Sequence, residues 1–147
     1  MTLGFNPLDA FSLKGQTAVV TGGGNGIGRA VAIGLARAGA HVVVMDLDNS
    51  AAQFAVSEIM KEGLSAKAIC VDVKDEAQVD QAMKQAYELH QRLDILINNA
   101  GIIQPFVHVS ELSLESAHRV MDVNFTGPLQ MVKAFLPGDR KSTRLNS

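Results

Sequence analysis

The sequence is poor in several residue types that mark particular classes of protein. Its 147 residues include one cysteine, Cys70, so an internal disulfide is excluded and a reducing, cytoplasmic location is expected. Thirteen basic and fifteen acidic side chains leave a formal charge of −2, which gives no indication of a nucleic-acid partner. The four histidines show no metal-ligand spacing with cysteines or acids, and we expect no metal site.

Long apolar segments are also missing. No apolar run approaches the roughly 20 residues that cross a membrane, so a membrane partner is not expected. Residues 1–13 lack the basic start and the apolar centre of a secretory signal. Contents of 47% hydrophobic and 19% charged residues are ordinary for a globular protein and define no narrower class.

Glycines are concentrated at one point, in residues 21–28, which read Thr-Gly-Gly-Gly-Asn-Gly-Ile-Gly. An apolar run precedes them and a helical pattern follows. A strand, a glycine turn and a helix start form a phosphate-binding corner, because backbone N–H groups and the helix dipole both favour an anion. The spacing G-x-G-x-x-G fails, since its third glycine would fall at Ile27, whereas Gly22-x-x-x-Gly26-x-Gly28 fits. A purely structural glycine turn is the alternative interpretation.

Asp46 supports the nucleotide interpretation. It ends a second apolar run and lies eighteen residues after Gly28. Dinucleotide sites place an acid about 20 residues beyond the glycine motif, where it accepts hydrogen bonds from the ribose hydroxyls. An isolated aspartate after a strand is more often a turn or cap residue. Together with the glycine motif, Asp46 predicts a ribose site.

The wider pattern alternates short apolar strands with helices. This alternation predicts a doubly wound parallel α/β sheet, Rossmann-like and incomplete on its C-terminal side. The predicted strands are Thr17–Thr21, His41–Asp46, Ala66–Val71 and Ile95–Asn98. Cys70 is expected to be a core residue of the third strand. The predicted helices are Gly26–Ala38, Ser50–Glu62, Asp75–Gln91 and one long helix over Ser113–Leu136.

These motifs resemble the short-chain dehydrogenase/reductase family over Phe11 to about Pro137. Residues 98–101, Asn-Asn-Ala-Gly, are similar to a family signature after the fourth strand. Asn124 matches the asparagine of the family's Asn-Ser-Tyr-Lys catalytic set. The resemblance implies hydride transfer between a nicotinamide cofactor, NAD rather than NADP, and an alcohol or carbonyl substrate. It implies that the cofactor is bound by Thr21, Gly22, Gly24, Asn25, Gly26, Ile27, Gly28, Asp46, Leu47, Asp72, Val73, Asn98, Ala100 and Gly101.

Within that list, the resemblance implies that the turn Gly22–Gly28 holds the pyrophosphate. Asp46 and Leu47 would hold the adenosine ribose. Asp72 and Val73 would border the adenine. The Asn98–Gly101 segment would lie along the nicotinamide half.

The remaining catalytic residues of the family are not found in this sequence. The family uses tyrosine in a Tyr-x-x-x-Lys arrangement, but the only tyrosine is Tyr87 and Gln91 stands four residues later. We therefore expect the catalytic Ser, Tyr and Lys to lie beyond residue 147, and the chain itself to be inactive. The alternative is a non-catalytic dinucleotide-binding module. Residues 11–15, Phe-Ser-Leu-Lys-Gly, are similar to family members that act on sugar acids and polyols, but 3-ketoacyl reductases share most of the motifs.

The last nine residues differ from the rest. Residues 139–147, Asp-Arg-Lys-Ser-Thr-Arg-Leu-Asn-Ser, have no apolar periodicity and look like an in-frame translation of a sequencing adapter. We therefore interpret residues 1–138 as the N-terminal part of a single NAD(P)-binding domain and residues 139–147 as a non-native tail. A genuine basic, disordered C-terminus is the alternative.

The long predicted helix raises two further expectations. Pro128 cannot donate a hydrogen bond to the carbonyl of Asn124, so a kink there would either free that carbonyl or simply bend the helix. Its apolar residues suit packing against a second subunit or against the chain's own sheet. The family usually forms homodimers or homotetramers through such helices. The apolar residues are Val120, Val123, Met131, Val132, Phe135 and Leu136.

Overall fold

A computed structural model describes residues 7–143 of the chain, with side chains described for residues 9–136. Four parallel strands form one open sheet in the order β3-β2-β1-β4. The strands are β1 (Thr17–Thr21), β2 (His41–Asp46), β3 (Ala66–Cys70) and β4 (Ile95–Ile97). The prediction of a parallel α/β sheet is confirmed, and the strand bounds agree with it to within one residue.

Within residues 7–143, five α-helices connect or follow the strands. They are α1 (Gly26–Arg37), α2 (Asn49–Lys61), α3 (Glu76–His90), α4 (Leu114–Met121) and α5 (Gly127–Thr143). Short 3₁₀ turns occupy Pro7–Phe11 and Val109–Glu111. No helix in the described part of the chain is long and apolar enough to cross a membrane.

Alternate strand residues build a separate hydrophobic core on each face of the sheet. Ala18 and Val20 of β1 pack with the buried residues of α1 and α2, whereas Val19 packs with those of α3 and α5. Successive side chains of a strand point to opposite faces, so a strand covered on both sides is apolar at every position. All five residues of β1 are accordingly buried.

The single long helix predicted over Ser113–Leu136 is wrong. A π-helical segment, Asp122–Thr126, separates α4 from α5. The N–H of Gly127 donates to the carbonyl of Asp122, five residues back, instead of the usual four. Pro128 has no N–H to offer Asn124, so the regular ladder cannot continue through this point.

Burial decides two other expectations. Cys70, interpreted as a core residue of its strand, is exposed, because β3 is an edge strand. Of the helix residues considered for a partner, Met131 and Phe135 are buried and Val123 is partly buried against the chain's own sheet. The exposed apolar side chains of this region are Met121, Phe125, Leu129, Val132 and Leu136. We call these five residues the helix stripe.

Residues 139–143 continue the backbone of α5, and residues 144–147 lie outside the described part of the chain. The non-native origin of residues 139–147 stays a prediction.

Candidate cofactor site

The glycine turn leads directly from β1 into α1 and leaves the start of that helix uncapped. Asn25 occupies the N-cap position with an extended backbone, but its side chain accepts no hydrogen bond from the helix. Side chains cap α2, α3 and α4, through Asp48, Asp75 and Ser113 respectively. The first N–H groups of a helix need partners, so the uncapped start of α1 can donate to an anion.

Two glycines of this turn show why no larger residue fits. A Cβ on Gly28 would collide with the backbone carbonyl oxygen of Gly22 and with the side-chain Nδ2 of Asn99. Gly26 has φ +51, and a Cβ there would meet no protein atom within 4 Å. Gly28 therefore lets α1 pack closely on the turn, while Gly26 leaves open space at the helix start. This cradle fits a phosphate group.

Asp46 closes the turn from the neighbouring strand. Its Oδ2 accepts a hydrogen bond from the N–H of Gly24 at 2.9 Å, and its Oδ1 accepts one from the N–H of Asp48 at 3.0 Å. Gly24 is itself buried against Ala51, where a Cβ would lie 2.7 Å from the alanine Cβ. Each carboxylate oxygen keeps a second lone pair, so the fixed carboxylate can still accept from ribose hydroxyls.

Thr21 and Asn99 join the glycine turn to the segment after β4. The Thr21 hydroxyl accepts hydrogen bonds from the N–H groups of Asn99 and Ala100, both at 3.0 Å. The Asn99 side chain donates to the carbonyls of Thr21 and Gly22 at 3.2 and 3.0 Å. Thr21 is buried, so it supports the site from beneath.

A cleft of about 570 Å³ lies at the carboxyl ends of the strands. This volume is within the usual range for ligand sites, and this edge is where open α/β sheets bind ligands. The cleft receives residues from the glycine turn, from the ends of β2 and β3, from the segment after β4 and from α4. Its lining residues are Gly22, Asn25, Met45, Asp46, Leu47, Val71, Asp72, Val73, Lys74, Asn99, Ala100, Gly101, Ile102, Arg119 and Val123.

Most of the residues predicted from the sequence meet at this cleft or at the turn beside it. Eight line the cleft: Gly22, Asn25, Asp46, Leu47, Asp72, Val73, Ala100 and Gly101. Gly24, Gly26, Ile27 and Gly28 belong to the adjoining turn. Asn98 is exposed outside the lining, and its neighbour Asn99 takes the place in the cleft wall. The sequence did not distinguish between these two adjacent asparagines.

Asn124 holds the loop after β4 against the π-helical segment. Its Oδ1 accepts from the N–H of Ile102 at 2.9 Å, and its Nδ2 donates to the carbonyl of Ile102 at 2.8 Å. These two hydrogen bonds occupy the side-chain amide of Asn124. The backbone carbonyl of Asn124 lies four residues before Pro128, which has no N–H to donate to it. Asn124 does not itself line the cleft.

Two basic residues of the cleft, Lys74 and Arg119, were not predicted from the sequence. Lys74 lies 3.8 Å from the Asp72 carboxylate. Arg119 reaches the cleft from α4, one helical turn before Val123, which also lines it. An i, i+4 pair on one helix face was the available signal. Within the described part of the chain, no group of three or more His, Cys, Asp or Glu residues could hold a metal ion.

Comparison with known proteins identifies the family. The model of the short chain dehydrogenase family matches residues 16–144. The chain belongs to the short-chain dehydrogenase/reductase family. Among curated members, 1-deoxy-11-beta-hydroxypentalenate dehydrogenase of Streptomyces avermitilis is 35% identical over 126 residues, which are 85% of this chain and 47% of that protein. Sorbitol dehydrogenase of Cereibacter sphaeroides is 37% identical over 122 residues, covering 83% and 46%.

Solved structures of the family share the fold. The 3-ketoacyl-(acyl-carrier-protein) reductase of Brucella melitensis in complex with NADH has a TM-score of 0.80 at 34% identity, covering 86% of this chain and 51% of that one. A metagenomic short-chain oxidoreductase in complex with NADP has a TM-score of 0.81 at 30% identity, covering 85% and 57%. This chain thus spans about half the length of the relatives it matches.

Proposed function

We propose that the whole protein is a short-chain oxidoreductase that moves a hydride between NAD and an alcohol or carbonyl carbon. This chain carries the cofactor-binding half. The nicotinamide supplies the hydride chemistry when it is bound, whereas the residues of this chain hold and orient the dinucleotide. Sugar acids, polyols and 3-ketoacyl groups are the candidate substrates.

The observation that carries the proposal is the uncapped N-terminus of α1 beside the cleft. α2, α3 and α4 each receive a side-chain cap, while α1 begins at Gly26 with open space in front of it. A pyrophosphate there would accept hydrogen bonds from the free N–H groups and would lie at the positive end of the helix dipole. The turn Gly22–Gly28 is therefore assigned to the pyrophosphate.

The remaining roles follow the walls of the cleft. Asp46 and Leu47 are assigned to the adenosine ribose, because the Asp46 carboxylate is fixed but not saturated. Asp72 and Val73 are assigned to the adenine. Ala100 and Gly101, in the wall formed by the segment after β4, are assigned to the nicotinamide half. Asn124 is assigned to the catalytic set, with its backbone carbonyl as the functional atom.

Asp46 also favours NAD over NADP in this proposal. A 2′-phosphate would bring a second negative group to a carboxylate that two backbone N–H groups hold in place. Arg29 is the basic residue of α1 that lies closest in sequence to the glycine turn. Its guanidinium lies 3.8 Å from the Glu58 carboxylate and 5.4 Å from the centre of the Phe54 ring. Arg29 is therefore held by these two residues and does not offset the charge of a 2′-phosphate.

A non-catalytic dinucleotide-binding module is the second candidate, and the position of Tyr87 favours it for this chain taken alone. Tyr87 lines a groove between α3 and α5, and it does not line the cofactor cleft. No other tyrosine is present in the sequence to serve as a proton donor at a substrate oxygen.

Two further properties are proposed for the whole protein. The helix stripe suits an interface between subunits, so we expect a homodimer or homotetramer, with no nucleic acid or membrane as partner. Its side chains are between 39% and 62% exposed, and contiguous exposed apolar side chains are typical of a surface that binds another protein. A cytoplasmic location stays a prediction from the single cysteine.

A pair of glycine variants tests the cofactor assignment. Gly26 and Gly15 both have positive φ, +51 and +79, and neither would place a Cβ near another protein atom. Gly26→Val and Gly15→Val therefore carry similar backbone strain, but only Gly26 lies at the start of α1. By isothermal titration, NAD should bind the Gly26 variant at least about tenfold more weakly, and the Gly15 variant as tightly as wild type. Equal NAD affinity in all three proteins would contradict the assignment.

A further inference from the structure

α4 and the π-helical segment after it each supply one residue to a wall of the cofactor cleft, Arg119 and Val123 respectively. These two residues are four positions apart. The end of β3 and the turn after it contribute Asp72, Val73 and Lys74 to the same cleft. The contributing elements are far apart in sequence, so Arg119 lies at a site that the glycine motif alone does not describe.

Packing fixes the position of this wall. Gly127, at the start of α5, lies so close to Val73 that a Cβ would come within 2.8 Å of the valine side chain. On the other side, Asn124 and Ile102 exchange two hydrogen bonds. The π-helical segment is thus held at both Val73 and Ile102, and α4 enters it directly at Met121.

The charges of the cleft are unequally satisfied. Asp46 accepts two backbone hydrogen bonds, and Lys74 lies 3.8 Å from the Asp72 carboxylate. The guanidinium of Arg119 makes no hydrogen bond or ion pair with any side chain or carbonyl in the described part of the chain. Arg119 is exposed, and the partly buried Val123 lines the same cleft.

We propose that Arg119 binds the adenine ring of the cofactor, with its guanidinium plane against one face of the base and Val123 beside it. This inference rests on the proposed cofactor-binding function. A guanidinium is planar and weakly hydrated, so it stacks on aromatic rings as well as pairing with anions. The pyrophosphate has the N-terminus of α1, and the Asp46 carboxylate opposes a 2′-phosphate. The adenine has been assigned Asp72 and Val73, but no polar residue from α4.

The test compares ligands that contain different parts of the cofactor. Binding of NAD, AMP and nicotinamide mononucleotide is measured by isothermal titration for wild type, Arg119→Gln and Arg119→Lys. Arg37→Gln is the matched control, because Arg37 pairs with Glu62 on the outer surface of α1 and α2. The glutamine variant should bind NAD and AMP about three- to thirtyfold more weakly and nicotinamide mononucleotide as wild type does. The lysine variant should recover only part of the loss, since it restores charge but not the planar group.

Each of the other possible results overturns a specific statement. Unchanged NAD and AMP affinity in Arg119→Gln overturns the adenine contact, while the proposed function stands. Full recovery in Arg119→Lys, or an equal loss of affinity for nicotinamide mononucleotide, assigns Arg119 to a phosphate and also overturns the adenine contact. A wild-type chain that binds none of the three ligands overturns the proposed function itself.

Discussion

The carboxylate of Asp46 and the backbone N–H of Gly24 form a 2.9 Å hydrogen bond that links β2 to the glycine turn. The residue assigned to the ribose therefore also holds the turn assigned to the pyrophosphate. Removing the Asp46 side chain would release Gly24 and would disturb both subsites together. We therefore expect cofactor specificity and turn geometry to be coupled at this residue.

We expect NAD to bind more tightly than NADP. The 2′-phosphate carries a charge of roughly −1.5 to −2, and two unit charges 4 Å apart repel by about 1 kcal/mol in water and about 4 kcal/mol at an effective dielectric near 20. The preference should therefore be about tenfold to a thousandfold, measured as the ratio of Kd values or, for the whole enzyme, of kcat/KM.

The double variant Asp46→Ala with Leu47→Arg should shift this preference toward NADP. It should also lose some NAD affinity beyond the ribose contact, because Gly24 loses its acceptor. Leu47→Arg alone is the control, since it adds the positive charge and keeps the turn anchored. A wild-type preference for NADP would show that Asp46 does not contact the ribose.

Acid should lower the stability of the folded chain through a pair of histidines near the amino end of β2. The cleft lies at the other end of the strands. His41 and His90 stack with ring centres 3.9 Å apart and planes 15° apart. Partial burial, and then the charge of nearby His41, lowers the pKa of His90 below its usual value near 6.5. The unfolded chain then binds a proton more readily than the folded chain, so stability present above about pH 6.5 is lost as the pH falls through the lowered value.

Urea unfolding at pH 7.5, 6.5 and 5.5 measures this effect. The midpoint of wild type should fall over this range, and His90→Gln should flatten the decline. His118→Gln, on the surface of α4, should leave the decline as in wild type. Glu62 and Asp75 also have lowered pKa values, held down by hydrogen bonds from Arg37 and Gln78, but their contribution is lost only below about pH 4. Equal pH profiles in His90→Gln and wild type would rule the histidine pair out.

The strands and first three helices could be predicted because each has a local signal. β1 and β2 are largely apolar runs, and α3 is capped by Asp75, whose side chain accepts from the N–H of Gln78 at 3.1 Å. The prediction was less accurate at the end of the third strand, where Cys70 is exposed. Lys67 within β3 was a sequence signal of an edge strand, but only the strand order shows that β3 lies at the edge.

The incomplete parts of the site prediction have a common physical cause. Arg119 and Lys74 are 45 positions apart in sequence, and only the tertiary fold brings them to the same cleft. Neither belongs to a local motif. The π-helical segment also escaped prediction, because Pro128 indicates an interruption but does not determine its geometry. The glycine turn was predictable since strand, turn and helix start are adjacent in the chain.

The 147-residue chain should self-associate. β4 pairs only with β1 among the described strands, so its outer edge is open, and the helix stripe leaves five apolar side chains exposed. Size-exclusion chromatography should give a mass above 15.6 kDa. Leu129→Arg, in the stripe, should reduce association, whereas Met60→Arg, an exposed apolar position of α2, should not. A monomeric wild type with a sharp, reversible melt would contradict this prediction.

The chain as given should show no dehydrogenase turnover even where it binds NAD. Positioned acid–base groups typically contribute about 10²–10⁴-fold to rate, and the family's tyrosine and lysine have no counterpart at this cleft. Tyr87 lines the groove between α3 and α5, together with Lys84 and Lys133, on a different surface. NADH formation is measured at saturating NAD with sugars, polyols and hydroxyacids, beside a binding titration on the same sample. Tyr87→Phe should leave NAD affinity unchanged. Turnover in wild type that disappears in Tyr87→Phe would mean that this tyrosine reaches the substrate, and that the division of roles between this chain and the rest of the protein is wrong.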